Sequence, residues 1–494
     1  AVQGIRQITL VVSKMKRQCS DHRVRKAIHG YVKCENELQE LWFNPDYLEE
    51  LAITSRAVFH RKLSEMDRKV WCGDITPRHG PGATADRLLG NGKYDSTYWT
   101  GRLENSFPIA DNLLCGYSHY KRLSSVEFVD LEHERPVRVL CVPKTARTAR
   151  IIAAEPANVQ YMQQGLLREF ARLFRGNSPF VALDNQVRNR ELARKGSCDG
   201  SVATLDLSEA SDRVHVSVVE AVFKYYPHLL QALLDTRSRK AELPDKTVMD
   251  GLVKFASMGS ATCFPVESIV FATVVLNAIR KSLTPTEWRR QLNDNLPDTV
   301  CAFGDDIIVP KRYVRTVLED LCKIGARPNP EKSFWTGRFR ESCGAEFLLG
   351  HSVGCAKLRY ELPQESHEAS NVIGLIEFRN QLYQLGYWKT VSLIDDRLAQ
   401  LRIPMPIVET TSPVVGRSSV FGWKPQRYHP DYQSPLVRGL LVAAKIPLNE
   451  ASEHGSLLKC LLPGRIEPFA DESHLRYSGR PHRVATKVGW ASPF

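Results

Sequence analysis

The chain has 494 residues, 43% of them hydrophobic, with 67 Lys plus Arg against 55 Asp plus Glu and a net charge of +12. That length accommodates a large core shared by several subdomains, and no repeat, low-complexity tract or heptad pattern points to a solenoid, a disordered chain or a coiled coil. The positive excess suits a polyanionic partner, while twelve scattered cysteines without Cys-x-x-Cys pairs or zinc spacing exclude a disulfide scaffold or zinc module and read as reduced thiols.

Residues 1–75 read as mostly helical, with charged and apolar residues interleaved through ENELQELWFNPDYLEELA. The N-terminal AVQGIRQITLVVSKMKRQ holds a short apolar run and then turns basic, unlike a secretory signal, so we expect a cytoplasmic protein with no membrane span. Residues 76–200 mix loops and short elements, from the turn-rich ITPRHGPGATADRLLGNGKY to the helical YMQQGLLREFARLFR. Much of the positive excess falls between Lys144 and Lys195. Within it Lys144, Arg147 and Arg150 stand at three-residue spacing, a set able to clamp a triphosphate.

Residues 201–364 alternate strands and helices. In VATLDLSEASDRV (202–214) a β-like run ends on Asp206 and a helix-friendly stretch follows. The segment 241–250 breaks the alternation and is expected to lie with the preceding region. FASMGSATCFPVESIVFATVVLNAI (255–279) is a small-residue loop running into a buried helix; Ser257, Gly259, Ser260, Ala261 and Thr262 leave N–H groups and hydroxyls open to a nucleic-acid backbone or nucleotide. As a membrane span the apolar part is too short and is interrupted by Glu267 and Asn277. CAFGDDIIVP (301–310) reads as strand-turn-strand with Asp305 and Asp306 at its tip. From Glu365 onward two helices, NVIGLIEFRNQLYQLGYW and VSLIDDRLAQLR, lead to a Pro/Gly/Ser-rich loop at 410–435 and an irregular basic tail.

Carboxylates at the ends of adjacent strands make a hard oxygen site suited to magnesium, which prefers a few carboxylates plus substrate phosphates. A two-metal site holds the attacking and leaving oxygens on ions about 3.5 to 4 Å apart, so carboxylates from neighbouring strands must converge. Asp206 on one strand and Asp305 on the adjacent hairpin could do that. The reaction this proposes is nucleotidyl transfer.

In order, LDLSEASD, SMGSATCFPVES and FGDD resemble motifs A, B and C of the palm of RNA-dependent RNA polymerases, and specifically the replicase subunit of single-stranded RNA bacteriophages of the Qbeta type. RVLCVPKTARTARIIAAEP (138–156) resembles the basic motif F of that family, and NPEKSFWTGRFRESCG (329–344) its motifs D and E. The resemblance implies an α+β right-hand polymerase: fingers with an N-terminal helical region over 1–200, a palm of antiparallel sheet flanked by helices over 201–364, with 241–250 a fingers insertion, and a mostly helical thumb and tail over 365–494. It implies RNA-templated RNA synthesis on a phage genome, with primer-independent initiation. Its substrates would be an RNA template and ribonucleoside triphosphates, and its partners host elongation factors Tu and Ts with an RNA-binding ribosomal protein. The resemblance implies that Asp206 and Asp305 bridge two Mg2+ ions, replaceable by Mn2+, with Asp306 in support and the backbone carbonyl of Leu207 as a further ligand. It also puts Lys332 at the motif D position, from which a cation can protonate departing pyrophosphate.

Choosing ribose requires a polar contact to the 2'-hydroxyl. Motif A offers Ser211 and Asp212; motif B has Glu267 where the family usually has Asn. Asp212, Ser257, Thr262 and Glu267 therefore stand as a set without a single gate. Gly259 lets backbone approach the nucleotide. A reverse transcriptase would share the carboxylates but usually carries a bulky aromatic after the motif A aspartate, absent from Leu207 to Asp212. A non-catalytic basic RNA-binding protein would not need three acids at polymerase spacing.

Overall fold

The computed structural model describes residues 1–145, 148–176, 178–446, 448–449, 453–462 and 483–494. At its centre four strands lie in the order Phe180–Val181, Cys301–Phe303, Asp306–Pro310, Val202–Leu205. Two of the three pairings are antiparallel, with Cys301 opposite Ile308 and Leu205 opposite Ile307; the short edge strand runs parallel to Cys301–Ala302. Alternation along the strands sends side chains into two cores. Ala203, Leu205, Ala302, Ile307 and Val309 enter the main core, whereas Val202, Cys301 and Ile308 pack with Ala182 and with Leu192 of helix Val187–Asp199. Both faces are covered, which is why these strands read as continuous apolar runs.

Helix Cys263–Lys281 runs through the main core. Ile269, Val270, Phe271, Val274, Val275, Leu276 and Ile279 are fully buried, so a helix apolar all round is a core helix here. Among the described residues it alone is long and apolar enough to cross a membrane, and it is enclosed by protein instead. Its buried Asn277 Oδ1 accepts hydrogen bonds from Thr54 Oγ1 at 2.9 Å and from Arg280 Nη2 at 3.0 Å, which satisfy the amide oxygen within the core.

The N-terminal region is helical as expected: Val2–Leu10, Asp21–Gln39 and Pro45–Trp71. The third begins where the Asn44 side chain accepts from the N–H groups of Asp46 and Tyr47 and Pro45 presets the first turn. Its Leu51, Phe59, Leu63 and Met66 join the main core. A second four-stranded sheet has the order Ala149–Ala154, Val137–Pro143, Ala241–Glu242, Val248–Met249. Residues 241–250 therefore do lie with the region before Asp206.

Beyond residue 365, helices Ala369–Gln384 and Trp388–Gln400 share a separate core with Ala356 and Leu358. The tail expected to be irregular is instead paired. Strand Pro435–Lys445 runs antiparallel to Arg483–Ala491, from Val437 opposite Ala491 to Lys445 opposite Arg483, and also pairs with Val414–Val415 and Arg427–Tyr428. This stretch thus adds a sheet to its helices. Gly439, Gly489 and the basic residues within the two long strands mask their alternation in the sequence.

Candidate active site

The hairpin between Cys301–Phe303 and Asp306–Pro310 turns through Gly304 and Asp305, with Phe303 opposite Asp306. Gly304 has φ +59°, and a Cβ there would stand 2.9 Å from Glu267 Oε1 and 3.0 Å from the Phe264 ring. Only glycine fits both demands. Its N–H donates to Ser268 Oγ at 2.9 Å, so the start of the core helix holds the turn in place. Asp305 reaches solvent at the tip, and Asp306 opens the returning strand.

Asp206 directly follows strand Val202–Leu205, and the register that pairs Leu205 with Ile307 brings it beside Asp306. A loop clasps it. Asn329 Nδ2 donates to Asp206 Oδ2 at 2.9 Å, Lys332 Nζ lies 3.5 Å from Oδ1, and the Asp206 N–H donates to Ser333 Oγ at 3.1 Å. Asp306 Oδ1 in turn accepts from the Cys343 N–H at 3.0 Å and from Ser342 Oγ at 3.3 Å. Cys343 has φ +49° at the corner between strands Phe339–Ser342 and Ala345–Leu348. Leu207 is buried in a two-residue strand paired with Arg327–Pro328.

Three acids this close repel one another. Although Asp305 is exposed at the tip, the protein packed around its carboxyl and then the charges of Asp306 and Asp206 push it up to about 6, and burial raises Asp206 despite Lys332. Among the described residues no three His, Cys, Asp or Glu side chains enclose a metal position by themselves. Magnesium is commonly held by one or two carboxylates with substrate phosphates completing the shell, and crowded acids whose repulsion a divalent cation would relieve fit that kind of site.

Cations gather on the same site. Lys144 directly follows strand Val137–Pro143, and burial, then Arg150 and Lys332, holds its ammonium below the ordinary lysine range, with Asp305 and Asp206 acting the other way. Arg150 lies on the paired strand opposite Val142. Arg147 falls outside the described residues.

The small-residue loop docks on that basic ribbon: the Ala153 N–H donates to Met258 O at 2.8 Å, and Gly259 has φ +130°. Thr262 is buried with its hydroxyl 3.1 Å from Ser260 Oγ. Glu267 is buried under the turn and hydrogen-bonded to Ser211; burial pushes its carboxyl up to about 8. Asp212 Oδ1 lies 3.5 Å from Lys254 Nζ, and Ser257 Oγ lies 3.0 Å from Tyr31 Oη. The structure therefore gathers Asp206, Asp305, Asp306, Lys332 and Lys144 at one end of the central sheet, with Glu267 beneath the turn and hydrogen-bonded to Ser211. Sequence reasoning missed Asn329, Ser333, Ser342, Cys343 and Ser268. All five lie inside the runs SMGSATCFPVES and NPEKSFWTGRFRESCG, which marked these stretches without revealing which acid or turn each residue serves.

A family model described as RNA replicase, beta-chain, matches residues 118–397, more than half of the chain. The chain belongs to this family. Of the relatives, the RNA-directed RNA polymerase subunit beta of Qbeta virus (strain MX1) is 33% identical over 262 residues, which is 52% of this chain and 40% of that protein. The RNA-directed RNA polymerase beta chain of Enterobacteria phage GA is 36% identical over 207 residues, 42% of this chain and 36% of that one. The beta chain of Escherichia phage MS2 is 35% identical over 216 residues, 44% and 36% respectively. The matches thus span about two fifths of the relatives' own length. A solved structure of the BmCPV RNA-dependent RNA polymerase at elongation state aligns with a TM-score of 0.41 and 10% identity, covering 67% of this chain and 31% of that chain. The replicase family match takes in Lys144, Arg150, the three aspartates and the clasping loop, and leaves out the N-terminal helices that bear Tyr31 and Glu35.

Proposed function

We propose that this chain is an RNA-directed RNA polymerase that replicates a phage RNA genome inside an infected bacterium. One observation carries the reading: Asp206, Asp305 and Asp306 converge with Lys332 and Lys144, all within the span matched by the replicase family. Asp206 and Asp305 would hold two divalent cations, Mg2+ or Mn2+, with Asp306 and the Leu207 carbonyl in support. When bound, such ions supply charge neutralisation at the phosphate and acidify the attacking hydroxyl. The remaining work belongs to the chain's own groups. Lys144, Arg147 and Arg150 bind the triphosphate, which positions it for in-line attack. Lys332 gives a proton to departing pyrophosphate, since a positioned general acid assists a leaving group. Gly259 lets the loop come close to the nucleotide, and Asp212, Ser257, Thr262 and Glu267 form the set that reads the 2'-hydroxyl.

In this reading residues 1–200 form fingers, 201–364 a palm with 241–250 joined to the fingers, and 365–494 a thumb. Initiation is primer-independent, and host elongation factors Tu and Ts with an RNA-binding ribosomal protein complete the complex. The test is incorporation of labelled GMP on poly(C) with Mg2+, by the chain alone and with the host factors added. Template-dependent product supports the reading. Absence of product in both preparations, or product formed equally without template, rejects it.

A further inference from the structure

Lys254 stands three residues before Ser257 and has no part in the assignments above. Its side chain is 1% exposed, yet its ammonium is surrounded by functional groups. Nζ lies 3.5 Å from Asp212 Oδ1, 3.5 Å from Glu35 Oε2 and 3.6 Å from the centre of the Tyr31 ring. Glu35 is itself fully buried, and its Oε1 accepts the Val253 N–H. Cys34 Sγ donates to the Asp212 carbonyl at 3.4 Å, and Tyr31 Oη meets Ser257 Oγ at 3.0 Å. Tyr31, Cys34 and Glu35 share one face of helix Asp21–Gln39, at the spacing of successive turns. One N-terminal helix face thus locks onto a lysine that touches one candidate sugar reader and, through Tyr31, reaches a second.

A buried ammonium is tolerated when it is paired with charge, and here Glu35 and Asp212 supply carboxylates on one lysine while the Tyr31 ring adds a π face. Of the two carboxylates, Asp212 is the one that retains contact with solvent. A carboxylate free to turn toward water discriminates weakly between sugars, because it repairs the loss of a 2'-hydroxyl by finding another donor. Held through one oxygen by a fixed cation, it presents the other oxygen in a set direction, and a deoxy sugar leaves that acceptor unpaired.

We propose that Lys254 is a positioning residue for ribose recognition: on the platform of the Tyr31 ring it fixes Asp212, while the Tyr31 hydroxyl orients Ser257, so that both meet the 2'-hydroxyl of the incoming nucleotide. This rests on the polymerase reading above. Neither residue touches the reacting phosphate, so the effect belongs to sugar choice and not to the chemical step.

The experiment measures kcat/KM for a ribonucleotide and its 2'-deoxy counterpart on one template, for wild type, Lys254→Met and Tyr31→Phe. In Lys254→Met the ribonucleotide value falls about tenfold, mainly through KM, the deoxynucleotide value stays within about twofold, and the discrimination ratio drops about tenfold. Tyr31→Phe keeps the ring under the ammonium and removes only the hydroxyl, and its ratio drops about threefold. A merely structural lysine would lower both substrates together. An unchanged ratio in Lys254→Met overturns the proposal, and if that variant melts early, an unchanged ratio in Tyr31→Phe does so. Wild type serves as the separate control on the polymerase reading: if it incorporates neither nucleotide, that reading falls and the inference with it.

Discussion

Gly259→Ala should disable nucleotide addition while leaving the protein folded. The glycine has φ +130°, which alanine rarely adopts, and a Cβ there would stand 2.0 Å from the Ala153 carbonyl oxygen. Ordinary contact begins at 3.4 Å, so the loop and strand Ala149–Ala154 must part by roughly 1.4 Å, and a packed interior offers no slack for that. The backbone strain costs about 1 to 3 kcal/mol. The larger effect is geometric, because this strand carries Arg150 and the loop carries Ser257; misplacement by about 1 Å near a reacting centre can cost about 10²-fold in rate. Gly73→Ala is the control, since Gly73 has φ +70° but no atom within 4 Å of where its Cβ would stand. Single-nucleotide addition by a preassembled elongation complex, with a thermal melt on the same preparation, separates the two effects. Gly73→Ala should lose stability and keep its rate. A folded Gly259→Ala whose rate is within about threefold of wild type would refute the reasoning.

Asn329→Ala removes the amide that donates to Asp206 at 2.9 Å; a hydrogen bond to a charged group is worth about 1.5 to 3 kcal/mol, so single-turnover addition should slow by about tenfold or more, and an unchanged rate would show that the clasp is dispensable. Lys332→Leu should slow the same step by about 10²-fold, and equal rates for variant and wild type across about pH 6 to 9 would remove Lys332 from the chemistry. Burial holds the His79 imidazole down to about 3, between the rings of Tyr94 and Tyr161. The unfolded chain takes up that proton below about pH 6.5 and the folded one does not, so stability should fall as pH drops, by about 2 kcal/mol between pH 7 and 5. Urea unfolding of His79→Phe should show a shallower loss over that interval, and identical losses would exclude His79 as the source.

The aspartate hairpin was legible because its signal is local: a glycine turn between two apolar β-branched runs, within ten residues. The core helix announced itself by an unbroken apolar stretch, and 241–250 by interrupting an alternation. The clasp on Asp206 comes from Asn329, 123 residues away, and the support under Asp306 from Cys343, 37 residues away. Neither contact leaves a periodic mark in the chain, since one side chain meeting another across a fold requires only that both be present. Lys254 is the extreme case. A lysine in a run of small and apolar residues gives no hint that Tyr31 and Glu35, more than 200 residues earlier, will bury it. The C-terminal ladder escaped for a related reason: its two strands are far apart in sequence, and their glycines and cations blur the alternation that would have identified them.

The central claim is that Asp206 and Asp305 form the centre at which nucleotides are joined. The most direct measurement is single-nucleotide addition in Mg2+ by Asp206→Asn and Asp305→Asn, with RNA affinity determined on the same preparations. Each variant keeps its shape and loses one negative charge at the reaction centre. The account predicts addition at or below the detection limit with RNA binding near wild type. Either variant adding nucleotides at more than about a tenth of the wild-type rate, a loss under about 1.4 kcal/mol in the barrier, would contradict it.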